Sequence, residues 1–413
     1  MITAQKGTKD IYGDEINKWH FVENAMREVF ENANYKELRT PIFEATELFA
    51  RGVGDSTDIV NKEMYTFDQK GRSLTLRPEN TAGVVRAYIE HGMHRISPPV
   101  KLYYKGPMFR YERPQAGRQR QFHQLGVEVF GIDAPSADAE VIATAIAFLN
   151  KIGLNDLELE INSLGCEKCR ANFREKLKTA VAPMLDKFCD DCKMRFEKNP
   201  LRMLDCKSPE CQNYLASKTV QDVINSEFIC EECSEHFEKL KTYLDALGIK
   251  YSVNKLLVRG LDYYNRTVFE IKSNFLGSQN AVCGGGRYDS LVENLGGTKT
   301  PAVGWAMGME RLMALIPDAQ DTQLDAYIIS QNLSETLKLA KILRANGLKT
   351  EFDMQGKNFS KAFEKALKSG AKSAVILGED EISAGKVTIK NLATKEQQTI
   401  EQEKIIDTIK TYL

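Results

Sequence analysis

Hydrophobic residues near the start of the chain recur at helical spacing. Between residues 17 and 33 they occupy one side of a helical wheel, at Val22, Met26, Val29 and Ala33. A stripe of this kind predicts an amphipathic helix with one buried face. A second helix is predicted over 135–153, between a proline start and a glycine end.

Two stretches with strand character, 101–112 and 121–131, predict an antiparallel hairpin with a long tip. Period-two alternation in the second strand separates an apolar face from a mixed polar face. The apolar face, which must lie against a core, consists of His123, Leu125, Val127 and Val129. The other face presents Phe122, Gln124, Gly126 and Glu128. Such a row suits either a solvent-facing sheet or a binding site.

The tip of this hairpin is basic. It carries Arg113, Arg118 and Arg120, with Arg110 on the neighbouring strand and Glu112 as the one acidic residue. Guanidinium groups bind phosphates and carboxylates through paired hydrogen bonds. The arginines therefore favour a site for an anion.

Residues 302–316 are predicted to form another helix. In this helix Gly304, Gly308 and Arg311 would share one face, because they are spaced by four and three. Glycine inside a helix costs about 1 kcal/mol relative to alanine. Either a packed strand or a ligand close to this face would explain the glycines, and the arginine favours the ligand. The buried face would consist of Trp305, Met309 and Leu312.

Strands are also predicted at 157–161, 251–258 and 267–272, before the glycine run CGGGRYD at 283–289. Three consecutive glycines allow close backbone approach and unusual dihedral angles. The run is therefore either part of a site or a tight structural turn. The sequence contains neither GxGxxG nor GxxxxGK[ST], so it gives no support to a Rossmann or P-loop nucleotide site.

The polar stretch 317–325 is the best candidate for a linker, and beyond it strands alternate with helices. This alternation over 326–413 predicts a small α/β domain. The segment contains 14 Lys or Arg residues against 11 Asp or Glu, whereas the whole chain has a net charge of −1. A local positive balance is compatible with nucleic-acid binding but does not establish it.

The overall composition is that of a globular protein. The 413 residues suffice for two or three domains, and 42% hydrophobic and 27% charged residues are ordinary values. No apolar run approaches the ~18 residues that a membrane span requires, and the N-terminus does not resemble a signal peptide. The prediction is a cytoplasmic protein without a membrane segment.

Eight of the nine cysteines lie within a short part of the chain, at Cys166, Cys169, Cys189, Cys192, Cys206, Cys211, Cys230 and Cys233. In a reducing compartment this clustering predicts one or two structural Zn²⁺ sites rather than disulfides. The first four have the spacing of a zinc ribbon, but the two outer CxxC pairs could equally combine. Reduced thiols left from an ancestral site are the alternative. Cys283 is predicted to be a small buried residue.

These stretches together resemble the histidyl-tRNA synthetases, which are class II aminoacyl-tRNA synthetases. GPMFRYERPQAGRQRQFHQLGVEVFG is similar to motif 2, AVGWAMGMERL to motif 3 and ELRTPIFEATELFARGVG to motif 1. LVRGLDYYNRTVFE and AVCGGGRYDSLV resemble two stretches that other class II enzymes lack. With TLRPENTA at 75–82, the resemblance extends from about residue 5 to the C-terminus, the cysteine segment excepted.

The resemblance implies an α+β fold with an antiparallel sheet flanked by helices, an insertion domain and a C-terminal α/β anticodon-binding domain. Residues 1–164 would form the first part of the catalytic core and 236–320 the second part. Residues 165–235 would be the cysteine-rich insertion, and 326–413 would bind the anticodon. Motif 1 implies a homodimer.

The resemblance also implies a histidine–tRNA ligase. Such an enzyme converts L-histidine and ATP, with Mg²⁺, to histidyl-adenylate and pyrophosphate. It then transfers histidine to the 3′ end of tRNA(His). Arg110 would bind the α-phosphate, Arg311 the γ-phosphate, and Phe122 would stack on adenine. Arg259 would supply an additional cation at the α-phosphate, in place of a metal ion.

By the same resemblance, the histidine contacts would be Glu79, Asn80, Thr81, Arg110, Gln124, Glu128, Arg259, Tyr263 and Tyr264. Within this set Glu79, Thr81 and Gln124 would contact the α-amino group. The ring partners would be Glu128 and Tyr264. Asn80 stands where many relatives have glycine. Gln115 and Arg118, in the hairpin tip, would contact the acceptor end of the tRNA.

The main alternative is a non-catalytic regulatory subunit of ATP phosphoribosyltransferase, which has a similar core and binds histidine as a sensor. Such proteins lack the anticodon domain and tend to lose the arginine and tyrosines of LVRGLDYY. This chain keeps Arg259, Tyr263, Tyr264 and residues 326–413. An unrelated zinc-binding scaffold would explain the cysteines but not the arginines. The sequence therefore favours the enzyme.

Overall fold

The computed structural model describes residues 1–54, 57, 59–114, 117–226, 228–275, 280–317, 323–356 and 358–412. The chain divides into two compact units, Met1–Ala319 and Gln320–Leu413. Their boundary falls within the polar stretch 317–325. Across the described ranges, every helix is too short or too polar to cross a bilayer.

An eight-stranded sheet organises the first unit. Its six central strands are antiparallel, and each edge strand runs parallel to its neighbour. In order across the sheet, the strands are Lys36–Glu37, Val100–Phe109, Gln121–Phe130, Ala302–Gly308, Ala281–Arg287, Asn265–Lys272, Glu158–Ser163 and Ser252–Val253. The predicted hairpin at 101–112 and 121–131 is thus confirmed. Of the strand predicted at 251–258, only Ser252–Val253 forms.

The prediction of one helix over 302–316 was wrong for its first half. Residues Ala302–Gly308 form a strand, and only Met309–Leu315 is helical. Trp305 and Met307 are buried in the core, and small residues alternate with them. Large and small residues in alternation are the period-two pattern of a strand, not the pattern of a helix.

Of the two alternatives predicted for the glycine run, the tight turn was wrong, and the run has no unusual dihedral angles. It lies in the Ala281–Arg287 strand, and none of its three glycines adopts the left-handed conformation. The neighbouring strands are close enough that a Cβ on Gly285 would overlap the Gly304 carbonyl oxygen. Close backbone approach, the other property of a glycine run, is therefore what this strand uses.

Three helices cover one face of the sheet and form the main core with it. They are Asp14–Asn32, Pro135–Lys151 and Glu231–Ala246, of which the first two confirm the helices predicted at 17–33 and 135–153. Outside the cysteine-rich segment, the other described helices of the first unit are Met309–Leu315, given above, and Thr46–Val53, Ile59–Glu63 (a π-helix), Thr81–Glu90, Met93–Arg95 (3₁₀) and Leu291–Asn294. A small sheet consists of Phe43–Ala45, Arg72–Leu76 and Tyr65–Gln69.

Over its described residues, the cysteine-rich segment consists of helices joined by loops, without strands. It has its own hydrophobic core. Its helices are Glu167–Val181, Ala182–Lys187 (3₁₀), Asp190–Lys198, Pro200–Asp205 (3₁₀), Pro209–Leu215 and Lys218–Asn225. The Glu231–Ala246 helix then returns the chain to the eight-stranded sheet.

The second unit confirms the predicted alternation of strands and helices. Its sheet has the strand order Thr350–Phe352, Ala326–Ile329, Ser373–Ile376, Lys386–Asn391 and Gln397–Glu401. The first three strands are parallel, and the last two form an antiparallel addition that the sequence did not predict. Its helices are Leu333–Ala345, Phe359–Lys368, Glu379–Ala384, Gln402–Lys404 (3₁₀) and Ile405–Lys410.

Candidate functional site

A cavity of about 260 Å³ lies on the large sheet, on the face turned away from the three-helix core. Most residues that the sequence suggested for a site line it. They are Glu79, Thr81, Arg110, Arg118, Phe122, Gln124, Glu128, Arg259, Tyr263, Tyr264 and Arg311. The row of alternate residues on the Gln121–Phe130 strand therefore faces a cavity and not open solvent.

Two further residues that the sequence suggested, Asn80 and Gln115, are not among the residues described as lining the cavity. The Asn80 side chain is turned elsewhere, because its amide oxygen accepts hydrogen bonds from Thr40 and Arg77. Gln115 lies outside the described residues.

Pairing between two strands forms the floor of the cavity. Gly304 lies opposite Glu128, and Gly308 lies opposite Gln124. A Cβ on Gly304 would overlap both the Glu128 carboxylate and the Val127 carbonyl oxygen. Gly304 lines the cavity, as the prediction of a nearby ligand requires, and it also makes room for a buried carboxylate.

Glu128 is the buried acidic group at this floor. Thr81 Oγ1 donates to its Oε1 at 2.8 Å, and the Tyr288 hydroxyl donates to its Oε2 at 2.5 Å. Burial nevertheless raises the pKa of Glu128 to about 8, because the two hydrogen bonds do not replace the lost hydration. A ligand that brings positive charge or an additional donor would stabilise the ionised form.

Glu79 lies close by and fixes the start of the Thr81–Glu90 helix. Its carboxylate accepts the backbone N–H groups of Thr81 at 2.8 Å and Ala82 at 3.0 Å. These are otherwise unpaired groups of the first helical turn. Burial raises the pKa of Glu79 as well. Each carboxylate oxygen keeps a lone pair for a further donor.

Gln124 has unused hydrogen-bonding capacity. Its Oε1 is buried and has no hydrogen-bond partner among the described residues. Buried polar atoms without a partner are uncommon in native proteins and often mark a ligand position. Gln124, Glu128 and Glu79 together present acceptors to one end of the cavity.

Three arginines from separate segments surround the rest of the cavity. Arg110 donates from Nε to the Pro78 carbonyl oxygen at 2.8 Å, and its guanidinium lies 5.2 Å from the centre of the Phe122 ring. Arg311 donates to the Ala281 carbonyl oxygen. Fixed guanidinium groups converging on one space provide a binding site for a polyanion.

Arg259 is the third cation. Its Nη1 lies 2.5 Å from Oε1 of Glu270, whereas its buried Nε has no partner within the described ranges. The guanidinium lies directly over Gly284, where any Cβ would overlap it. The glycine run therefore provides the flat surface on which this arginine rests.

Tyr263 and Tyr264 close the cavity from the segment that follows Arg259. Both are buried, and their ring centres are 4.6 Å apart. Tyr263 also lies 5.5 Å from the ring of Tyr288. The aromatic rings and the acidic groups thus enclose the same end of the cavity.

Sequence reasoning missed several residues of this site, among them Tyr288 and Glu270. Both lie in the stretches that carry the family resemblance, RYD and TVFE, but no spacing marked them. Strand pairing supplies the missing information, since Glu270 lies opposite Gly284 and so beneath Arg259.

The corrected assignment of 302–308 makes a testable prediction. Gly304→Ala would stabilise a helix by about 1 kcal/mol. In the observed strand the new methyl group would overlap Glu128 and backbone. We expect a clear fall in the thermal midpoint. Gly308→Ala is the matched control, because a Cβ there has no atom within 4 Å. Equal midpoints for the two variants, measured by calorimetry, would contradict the strand.

The cysteines form two groups, and the grouping is not that of a zinc ribbon. The first cluster contains Cys166, Cys169, Cys230 and Cys233, and the second contains Cys189, Cys192, Cys206 and Cys211. Within each cluster all sulfur atoms lie within 4.8 Å of one another. Cys283 is buried outside both clusters, as predicted.

The geometry of the clusters fits a tetrahedral metal site. Four sulfur atoms at about 2.3 Å from one zinc ion are about 3.8 Å apart. The observed Sγ–Sγ distances are 3.5 Å for Cys166–Cys169 and 3.8 Å for Cys189–Cys206. Backbone N–H groups also point at the sulfurs, from Cys166 to Cys233 at 3.2 Å and from Cys230 to Cys169 at 3.1 Å. Such donors stabilise thiolates.

The chain is similar to known proteins along nearly its whole length. Residues 7–312 match the family model "Histidyl-tRNA synthetase", and residues 325–412 match the model "Anticodon binding domain". The chain is 50% identical to the histidine–tRNA ligase of Caldanaerobacter subterraneus over 99% of this chain and 100% of that one. It is 47% identical to the histidine–tRNA ligase of Halothermothrix orenii over 98% of each chain.

Solved structures show the same similarity. The apo histidyl-tRNA synthetase of S. aureus superimposes with a TM-score of 0.81 at 38% identity, over 99% of this chain and 100% of that one. An ATP phosphoribosyltransferase regulatory subunit/histidyl-tRNA synthetase from Bacillus halodurans C shares the fold. It has a TM-score of 0.68 at 22% identity, over 92% of this chain and 98% of that one.

Proposed function

The chain belongs to the histidyl-tRNA synthetase family and is a histidine–tRNA ligase, and from this premise we propose which residues of the cavity carry out the reaction. The enzyme joins histidine to ATP, releases pyrophosphate, and passes histidine from the adenylate to tRNA with release of AMP. The observation that carries the proposal is the arrangement of the cavity, with three arginines around one part and buried acceptors at the other. A nucleotide and an amino acid would lie there side by side.

The arginines serve the first step. The histidine carboxylate attacks the α-phosphorus in line, and pyrophosphate leaves from the opposite side. Negative charge grows on the equatorial α-phosphate oxygens, where fixed cations are worth most. Arg110 and Arg259 are assigned to the α-phosphate and Arg311 to the γ-phosphate, while Phe122 stacks on adenine. Arg110 and Arg259 are also assigned to the histidine carboxylate.

The acceptors serve histidine recognition. Glu79, Thr81 and the unpaired oxygen of Gln124 are assigned to the α-amino group. Glu128 and Tyr264 are assigned to the imidazole ring, with Tyr263 packing beside it. A pocket that hydrogen-bonds both ends of its ligand rejects analogues that lack those groups. Asn80 supports the pocket indirectly, since it holds Thr40 and Arg77.

ATP enters with Mg²⁺, which neutralises phosphate charge when it is bound. The cavity offers suitable oxygen ligands, because the carboxylates of Glu112 and Glu310 are part of its lining. Glu310 also accepts the His123 backbone N–H at 2.9 Å, which fixes its orientation.

Two parts of the chain are assigned to tRNA(His). The hairpin tip, with Arg118 and Gln115, would contact the acceptor end, and residues 326–413 would bind the anticodon. Arg118 donates to Glu112 at 3.1 Å, so this arginine is anchored beside the cavity. Residues 1–164 and 236–320 form the catalytic core of this assignment, and 165–235 form the insertion. We further propose a homodimer that acts in the cytoplasm, where translation uses the product; sedimentation equilibrium tests the dimer.

Histidine-dependent exchange of pyrophosphate into ATP is the experiment that tests the site. The reaction requires ATP, histidine and the adenylate, but no tRNA. A regulatory subunit that only senses histidine would show none. That alternative is not favoured, because relatives about 47–50% identical over the full chain are histidine–tRNA ligases. A cavity variant that keeps full exchange would remove that residue from the site.

Both cysteine clusters are proposed to hold structural zinc. Zinc has tetrahedral preference and affinity for thiolates, and the two four-sulfur groups satisfy both. A structural ion would stabilise the insertion, whose core is small. The second cluster lies within this core, since Cys192, Cys206 and Cys211 are part of it.

We expect two zinc ions per chain when the protein is purified without chelator and analysed by elemental mass spectrometry. Cys206→Ser should lower the content to one, because three thiolates bind zinc less tightly than four. Cys283→Ser is the control and should retain two, since Cys283 belongs to neither cluster. Protein that contains no zinc, or whose zinc survives Cys206→Ser and Cys166→Ser together, would contradict the proposal.

A further inference from the structure

Asp262 links the histidine pocket to the cysteine-rich insertion. It directly precedes Tyr263 and Tyr264 in the chain. Its carboxylate Oδ1 accepts a hydrogen bond from Nδ2 of Asn199 at 2.7 Å. Its backbone carbonyl accepts one from Nη2 of Arg170 at 3.2 Å. Both donors belong to the insertion, so two contacts from outside the catalytic core meet at the residue that directly precedes the two cavity tyrosines.

The two donors are held next to the cysteine clusters. Arg170 immediately follows Cys169 of the first cluster, and its backbone N–H bonds to the Cys166 carbonyl at 2.9 Å. Asn199 lies between Cys192 and Cys206 of the second cluster, at the end of the helix that begins at Asp190. Each donor therefore lies on a segment that one of the clusters anchors, and we expect a shift of that cluster to displace it.

The Asn199 end of the first contact is shielded from water, whereas Arg170 and Asp262 are partly exposed. The Asn199 side chain is only 5% exposed, so its hydrogen bond to Asp262 does not compete with bulk solvent. A second connection lies just past the tyrosines. The Arg266 backbone N–H donates to Gly165 at 2.9 Å, and the Leu164 N–H donates to Arg266 at 2.7 Å. The segment that carries Tyr263 and Tyr264 is thus held at both ends by residues at or within the insertion.

We propose that the insertion positions the histidine pocket, with Asn199 and Arg170 as the positioning residues and the metal-bound clusters as their support. The inference rests on the proposed zinc and histidine sites. Small shifts of a binding group weaken recognition strongly, because hydrogen bonds depend on distance and direction. The effect falls on histidine and not on ATP, since the tyrosines line the histidine end of the cavity.

The test is steady-state pyrophosphate exchange with Asn199→Ala. We expect the histidine KM to rise about tenfold, while kcat and the ATP KM change by less than about threefold. Asn213→Ala, an exposed asparagine of the same insertion, is the matched control and should behave as the parent protein. A general loss of stability would instead lower the active fraction and so kcat.

Asp262 variants test the same link from the pocket side. Asp262→Ala should reproduce the Asn199→Ala effect, and the double variant should be no worse than either single one. Asp262→Asn keeps an oxygen acceptor for Asn199 and should restore the histidine KM to within about threefold of the parent value. If Asn199→Ala fails to fold, the Asp262 variants still test the contact between Asn199 and Asp262. Additive effects, or equal changes in both KM values, would overturn the proposal.

Metal removal separates this inference from the zinc proposal. Chelation of the parent protein, with zinc measured in the same sample, should raise the histidine KM; in Asn199→Ala the further rise should be smaller. If zinc is lost and the histidine KM does not change, the positioning role is overturned, but the proposal of two zinc sites still stands. If the parent protein contains no metal, the proposal of zinc sites is overturned. The single and double variants of Asn199 and Asp262 would still show whether their contact positions the histidine pocket.

Discussion

Replacing Arg259 with alanine should abolish adenylate formation while leaving histidine binding largely intact. The guanidinium lies in the cavity, is paired with Glu270 on one side, and has a buried Nε free of partners among the described residues. Loss of a single fixed donor to transition-state charge typically lowers kcat about 10²–10³-fold. A full positive charge beside the α-phosphate should contribute at least that much. Histidine-dependent pyrophosphate exchange measures the loss, and equilibrium dialysis measures histidine binding.

The control must account for Glu270, which Arg259→Ala leaves without its closest cation. Lys272 lies 3.7 Å from the same carboxylate, so the charge retains a partner. The double variant Arg259→Ala/Glu270→Ala removes the unpaired acid and should remain inactive. Arg72→Ala, at an exposed arginine outside the stretches assigned to the site or the dimer, should keep full activity. Near-normal exchange by Arg259→Ala would remove this arginine from the reaction.

The hairpin shows what the sequence could predict. Alternation alone identified the face of the Gln121–Phe130 strand that carries Phe122, Gln124 and Glu128, because one face had to be apolar. The arginines in and beside the tip indicated an anion. Both inferences depend on local pattern, and the structure places these side chains around one cavity.

The 302–308 segment shows why local pattern can mislead. A spacing of four puts Gly304 and Gly308 on one face in a helix and equally in a strand, since four is also a multiple of two. The pattern therefore identified residues at the cavity but assigned the wrong element. Pairing with the Gln121–Phe130 and Ala281–Arg287 strands decides the structure, and pairing is a long-range property.

Residues that act across long sequence distances could not be predicted. Tyr288 and Glu128 are 160 positions apart, and Asn199 and Asp262 are 63 positions apart. Likewise, cysteine spacing fitted a zinc ribbon as well as the observed clusters. The clusters form because the Glu167–Val181 and Glu231–Ala246 helices begin side by side, which brings the outer CxxC pairs together.

The position of Glu128 at the floor of the cavity depends both on local sequence pattern and on contacts across long sequence distances. Strand alternation turns it toward the cavity, Gly304 leaves space for it, and Thr81 and Tyr288 orient its two oxygens. Burial raises its pKa to about 8, so the ionised carboxylate needs a donor or a positive charge from a ligand. An imidazole N–H, or the positive charge of a bound histidine, supplies it.

Glu128→Ala should therefore raise the histidine KM by about 10²-fold or more and leave the ATP KM nearly unchanged. The substitution removes the ring acceptor and also leaves the hydroxyls of Thr81 and Tyr288 without their partner. Glu128→Gln retains one acceptor oxygen and should give an intermediate KM. Glu28→Ala, at a surface ion pair, is the control for loss of a carboxylate and should have no effect. Exchange kinetics at varied histidine give the answer, since an unchanged histidine KM would exclude Glu128 from the pocket, whatever happened to kcat.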